Sequence, residues 1–298
     1  MRILIVSNTT KNNYDSVKDK LERYYVEFSD RNDYIEKVPE HEYIIAGRER
    51  YTKELLEKSN RLKVISRCGH GTDAIDKKTA RDKGIKVLDA REALDDTMAD
   101  VTIGYMIAAL RKIVEIDRGV REEGWKTILG NDLTGKTVGI IGLGGIGTAV
   151  AKRLTCFKTN TIFYDIDEEK QHGYPYAKFL ERDAVFRSSD VLTLHCDLNE
   201  NSKNMINEKT IPMMKDGVVL VNTARGPMID LEALSKSLAN GKIGYAVLDV
   251  YPEEPLPNDH KIRSISNVLL GAHTTCYSEE GQRKLAIKAV DNLLKEIK

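Results

Sequence analysis

Residues 136–154 read KTVGIIGLGGIGTAVAKRL. A short apolar run, 137–141, leads straight into Gly142-Leu-Gly144-Gly-Ile-Gly147, and a helical period follows. A lone G-x-G-x-x-G is a weak signal. Here it follows a buried strand, opens a helix and precedes a second strand that ends in an acid, the setting of a dinucleotide-binding turn. The first glycine makes the tight bend, the second lets a pyrophosphate approach the backbone, and the third lets helix and strand pack closely. Backbone amides at the helix N-terminus, those of Gly145 and Ile146 among them, then face the phosphates.

The second strand, TIFY (161–164), ends at Asp165, eighteen residues beyond Gly147. Asp165 is placed to accept hydrogen bonds from both hydroxyls of an adenosine ribose. Asp167, Glu168 and Glu169 come next. A 2′-phosphate would meet this acidic group, and like charges so juxtaposed cost on the order of several kcal/mol. NAD is therefore the expected cofactor rather than NADP.

Similar apolar runs recur at 3–6, 43–46, 63–66, 85–88, 191–194, 218–221, 245–248 and 267–270. Helical-period segments such as 52–59, 73–83, 145–158 and 230–240 lie between many of them. Continuous apolar strands alternating with helices predict an α/β protein whose parallel sheets are covered on both faces. The stretch TMADVTIGYMIAALRK (97–112) breaks this rhythm as a longer, mostly apolar helix, with Asp95 or Asp96 as its N-cap. It reads as the joint between two domains. A last helix, 278–297, has no strand after it and is expected to return to the first domain. The predicted division is 1–95 plus 276–298 and 96–275.

The 298 residues carry 46 Lys+Arg and 46 Asp+Glu, and 41% are hydrophobic. Zero net charge removes the electrostatic reason to expect nucleic acid or an acidic membrane as partner. No apolar run approaches the roughly 18 residues of a spanning helix, and the N-terminus lacks a secretory pattern, so a cytoplasmic protein is expected. Cys68, Cys156, Cys196 and Cys276 have no ligand-like spacing. They read as buried, reduced thiols, with no metal site.

Six segments then appear in order: LKVISRCGHGTDAID (62–76), DLTGKTVGIIGLGGIG (132–147), SSDVLTLH (188–195), MMKDGVVLVNTARG (213–226), AVLDVYPEEPLP (246–257) and NVLLGAH (267–273). Through them the chain resembles the D-2-hydroxyacid dehydrogenase family, above all its phosphoglycerate-dehydrogenase-like members. The resemblance implies two doubly wound domains, a flavodoxin-like substrate domain and a Rossmann cofactor domain, with a cleft between them. It also implies hydride transfer between NAD and a 2-hydroxyacid/2-oxoacid pair.

A catalytic trio is implied too. Arg225 stands at the end of the strand VVLV, where an unpaired buried guanidinium would cost several kcal/mol, on the order of a lost ion pair. A substrate carboxylate and carbonyl oxygen resolve this, since the planar five-donor fork suits them better than a lysine. His273 would be the general acid in reduction and the base in oxidation. Glu254 would accept a hydrogen bond from the imidazole; Glu253 is its competitor, and Glu254 is preferred because the family's glutamate directly precedes a proline.

Further roles are carried over by position. Asp249 would hold the nicotinamide carboxamide and Thr223 would contribute backbone at the same ring, while Thr102 and His195 match cofactor-contacting positions. The loop Cys68-Gly69-His70-Gly71 would receive the substrate carboxylate on its amides. Arg48, with Arg50 and Arg67, would meet a distal phosphate such as that of 3-phosphoglycerate.

Two departures touch the substrate. Asp197 replaces a usual proline and is expected to loosen its loop, and Thr274-Thr275-Cys276 replaces the usual small turn after the histidine. Glyoxylate or hydroxypyruvate reduction is the alternative activity, and an NAD-sensing binding protein with vestigial catalysis the alternative of another class. The extra regulatory domains of longer phosphoglycerate dehydrogenases are not expected. The region 117–132, with Trp125, matches the family's two-fold interface, so a homodimer is expected.

Overall fold

The structure is a computed structural model that describes every residue except 70, 123, 126, 172, 173 and 298, and every side chain but those of 168 and 171 besides. The chain divides into two compact units, Met1–Leu94 with Cys276–Lys298, and Asp95–Thr275.

The first unit carries β1 (Arg2–Ile5), β2 (Tyr25–Phe28), β3 (Tyr43–Ala46), β4 (Val64–Arg67) and β5 (Lys86–Leu88), all parallel in the order β2-β1-β3-β4-β5. That order is the flavodoxin-like one. β3 is buried along its whole length, the signature of a central strand covered on both faces. The final helix, Glu279–Glu296, lays Leu285, Ala286, Ala289, Val290 and Leu293 into this unit. Ser66 on β4 anchors it by donating to the carbonyl of Ala289 (2.7 Å).

In the second unit seven parallel strands are β6 (Thr137–Ile141), β7 (Asn160–Tyr164), β8 (Lys178–Phe179), β9 (Val191–Leu194), β10 (Val218–Asn222), β11 (Ile243–Leu248) and β12 (Val268–Leu270). Their order is β12-β11-β10-β9-β6-β7-β8. β6 and β9 run side by side, Val138–Ile141 against Val191–Leu194. The chain leaves β6 toward β7 on one flank and returns to β9 on the other. The strand order reverses there, and a crevice for a ligand opens beyond the carboxyl ends of such a pair. β9 and β10 are wholly buried.

Several expectations need correction. β2 and β8 are additional strands. β2 has exposed ends at Tyr25 and Phe28, and β8 has two residues, so neither shows a continuous apolar run. Asp95 and Asp96 lie inside the helix Asp95–Arg111 rather than capping it. Of the four thiols, which form no disulfide, only Cys68 is buried; Cys156 is exposed because it sits in the 3-10 turn that ends the helix Gly145–Leu154. Among the described residues no helix is long and apolar enough to cross a membrane.

Candidate active site

The glycine turn sits at the β6 end of the strand reversal. Gly142 has φ +94, a left-handed value that side chains rarely adopt, and a Cβ there would also lie 2.6 Å from the Cys196 amide nitrogen. A Cβ on Gly147 would overlap the Gly142 carbonyl, so this glycine permits the helix to close on the strand. Gly144 differs: nothing lies within 4 Å of where its Cβ would be. Protein packing does not demand glycine at that position, whereas a pyrophosphate lying on the backbone would. Gly144 and Gly145 are exposed and Ile146 is half-buried, at the start of the helix Gly145–Leu154.

Asp165 follows β7 and turns back to the glycine turn. Its Oδ2 accepts from Leu143 N (2.7 Å) and its Oδ1 from Asp167 N (3.0 Å). Lys170 Nζ also lies 3.0 Å from Oδ2. Burial pushes the carboxyl pKa up, but these amides and the ammonium outweigh it and hold the group below its ordinary value.

Arg225 ends the stretch after β10. Asn222 fixes it by donating from Nδ2 to the Arg225 carbonyl (2.9 Å), and Arg225 Nη1 donates to the Ala224 carbonyl (2.7 Å). The turn beyond it presses on a second loop: a Cβ at Gly226 would overlap the Tyr251 carbonyl.

That second loop holds Glu254. Its Oε1 accepts from Tyr251 N (3.0 Å), and its Oε2 lies 2.7 Å from His273 Nδ1. The chain thus selects Glu254 over Glu253 as the imidazole's partner. The carboxylate sets the orientation of the ring from its Nδ1 side. His273 adopts a left-handed backbone (φ +57), fastened by its N–H to the Asp249 carbonyl (2.7 Å). The hydroxyl of buried Tyr251 lies 2.7 Å from the Gly271 carbonyl and 3.0 Å from that of Leu248, joining the Glu254 loop to the histidine segment. Burial and nearby Asp249 raise its pKa, so the phenol stays protonated.

Asp249 is buried, and its carboxylate is taken up by the next turn: Oδ1 accepts from Thr274 N (3.1 Å), and Oδ2 from Thr275 N (3.0 Å) and Thr275 Oγ1 (2.5 Å). In this geometry it positions the histidine segment, a role the carry-over to the carboxamide does not contain. Thr102 is wholly buried, its hydroxyl donating to the Met98 carbonyl (2.7 Å), so it contributes packing without exposed surface. Thr223 is buried with its Oγ1 unpartnered, an orphaned polar atom at the end of β10. His195 follows β9, its Nε2 2.9 Å from Thr193 Oγ1, and burial pushes its pKa down to about 4. It is a neutral ring near neutral pH.

The remaining predicted residues lie in the first unit. Cys68 N donates to the Ala46 carbonyl (2.9 Å) and Gly69 N to that of Arg67 (3.0 Å), so those amides are engaged within the fold. His70 lies outside the described residues, and Gly71 is half-buried. Arg48 is exposed and stacks over Tyr277, 5.2 Å from ring centroid to guanidinium.

The open backbone at Gly144, the acceptor Asp165 and the orphaned Thr223 hydroxyl fit a bound NAD. Residues 103–275 match the D-isomer specific 2-hydroxyacid dehydrogenase NAD binding domain. A hydroxypyruvate reductase of Thermotoga maritima is 38% identical over 259 residues, covering 85% of this chain and 84% of that protein. The chain belongs to the D-2-hydroxyacid dehydrogenase family. A D-3-phosphoglycerate dehydrogenase of Archaeoglobus fulgidus is 32% identical over 299 residues, 99% of this chain and 57% of that one. A solved glyoxylate reductase from Paecilomyes thermophila covers 100% of this chain and 95% of its own, with a TM-score of 0.88 and 30% identity. As a member of this family the protein is an NAD-dependent oxidoreductase of 2-hydroxyacids.

Sequence reasoning missed Lys170 against Asp165 and the grip of Asp249 on residues 274–275. The lysine at the end of the acidic run was a signal for the first.

Proposed function

We propose that the protein reduces a small, unphosphorylated 2-oxoacid of the hydroxypyruvate or glyoxylate kind to the D-2-hydroxyacid, through Arg225, Glu254 and His273. The observation that carries the trio is the 2.7 Å contact between His273 Nδ1 and Glu254 Oε2. When bound, NADH supplies the hydride that reaches the carbonyl carbon. Arg225 offers paired N–H donors to the carboxylate and carbonyl oxygen, which orients the carbonyl and draws charge onto its oxygen. His273 passes the Nε2 proton to that oxygen, and Glu254 holds the ring at Nδ1. Gly144, Gly145, Ile146 and Gly147 hold the pyrophosphate, Asp165 the ribose and Thr223 the nicotinamide end. In the same reading Gly71 is assigned to the substrate carboxylate, and Arg48 has no distal phosphate to meet.

An unphosphorylated substrate is favoured over 3-phosphoglycerate by Glu49. It lies beside Arg48 in sequence and acts electrostatically on Arg67, yet it is buried with its Oε2 unpartnered. A carboxylate among these arginines opposes a phosphate dianion. The test is the loss of NADH absorbance with hydroxypyruvate, glyoxylate and 3-phosphohydroxypyruvate. Turnover of the first two at higher kcat/KM supports the reading; preference for the phosphorylated acid, or no turnover, ends it.

Homodimer formation belongs to the same proposal. Trp125 and Leu129 are 90% and 92% exposed, and Ile113 and Val120 on the helix Ile113–Glu122 are exposed as well. Large apolar side chains so exposed mark an interface. Light scattering should give twice the chain mass, and Trp125→Glu should lower it. A cytoplasmic location is proposed because none of the four cysteines is in a disulfide, which suits a reducing compartment.

A further inference from the structure

Asp165 is the group that tells one adenosine ribose from another, and the sequence places more acids after it. The fold adds a cation. Lys170, in the 3-10 turn Glu168–Gln171, sets its Nζ 3.0 Å from Asp165 Oδ2 and 3.8 Å from Asp167 Oδ2. Leu143 N and Asp167 N supply the other two bonds to the Asp165 carboxylate. Three donors therefore cover most of the roughly four acceptor directions of that carboxylate.

This arrangement changes the electrostatics read from sequence. Rejection of a 2′-phosphate rests on its repulsion by Asp165, and an ammonium at contact distance offsets that charge. The Lys170 side chain is one-third exposed (32%) on a flexible stem, so it can turn its three donors from the carboxylate to a phosphate at the same edge. Toward an unphosphorylated ribose it does the opposite, competing with the two hydroxyls for the same oxygens.

We propose that Lys170 determines cofactor specificity by offsetting the rejection of 2′-phosphate, so that the protein binds NADPH as well as NADH, with NADH the tighter. This does not depend on which 2-oxoacid is reduced.

The test is fluorescence titration of the substrate-free protein with NADH and NADPH, for the parent, Lys170→Ala and Lys170→Arg, each checked for a native thermal transition. In Lys170→Ala the Kd for NADPH should rise at least about tenfold, the scale of one lost charge-assisted hydrogen bond, while that for NADH stays within about threefold or tightens. Lys170→Arg, which keeps the cation, should retain NADPH binding. The parent's NADPH affinity should also fall more steeply with salt than that of the alanine variant. Equal changes for the two cofactors would reduce Lys170 to a fastening of its turn and overturn the proposal. Failure of the parent to bind NADPH, or NADPH binding unchanged in Lys170→Ala, would overturn it too.

Discussion

Glu254 and His273 lie nineteen residues apart in the chain, yet Oε2 of one meets Nδ1 of the other at 2.7 Å. The same carboxylate takes the Tyr251 amide on its second oxygen, so it is held from both sides and in turn fixes the plane of the imidazole.

His273→Ala should lower kcat by at least about 100-fold, the lower range of general acid–base contributions. NADH binding, measured by fluorescence, should remain within about threefold, because no cofactor contact is assigned to the ring. Glu254→Gln should reduce kcat about tenfold with little change in KM, since the ring stays but loses its charged anchor. Rapid single-turnover kinetics check both, and full turnover in His273→Ala would require another proton donor.

Arg225→Lys should raise KM for the 2-oxoacid and lower kcat, with kcat/KM falling about 100-fold as the bidentate fork becomes a point charge. Steady-state kinetics at saturating NADH decide it. A variant with only KM altered would mean that Arg225 binds substrate without acting on the carbonyl.

The glycine turn offers a paired experiment. Gly144→Ala meets no protein atom, so its unfolding midpoint should match the parent while NADH affinity drops at least about tenfold. Gly147→Ala drives a methyl into the Gly142 carbonyl and should lose about 1–3 kcal/mol of stability, as overpacking does. Denaturant titration with and without NADH separates the two effects.

His195 predicts a pH dependence of stability. Burial lowers its pKa from 6.5 to about 4, so the unfolded chain takes up the proton first as pH falls. The neutral ring's contribution is fully present above about pH 6.5 and is lost progressively down to about pH 4, to a limit of about 3 kcal/mol. Urea unfolding of the parent and of His195→Gln between these values should show a shallower decline in the variant. Parallel curves would remove His195 as the cause.

What was legible in the sequence follows from burial. β6, β9 and β10 are covered on both faces, so covered positions come consecutively and show as unbroken apolar runs. β2 lies at a sheet edge with exposed aromatic ends, and its pattern resembles a loop. The proposed catalytic residues are legible only through ordered motifs, because no periodicity marks a single histidine after a strand. Lys170 against Asp165 and Thr275 against Asp249 depend on how turns fold back, which local pattern does not encode. The loop beginning at Asp197 shows the same limit. It was expected to loosen without its proline, yet Ser202 Oγ donates to the Asp197 carbonyl (2.7 Å) and Asn199 Oδ1 accepts from Asn201 N and Ser202 N (2.8 and 3.1 Å). Side-chain capping replaces the ring constraint there.

Tyr251 touches the neighbourhoods of all three residues of the proposed trio: its carbonyl abuts Gly226 beside the arginine, its amide binds the glutamate and its hydroxyl reaches Gly271 ahead of the histidine. Those three loops are thereby interlocked as one module. A change to any one of these loops is felt by the other two through that single aromatic rivet.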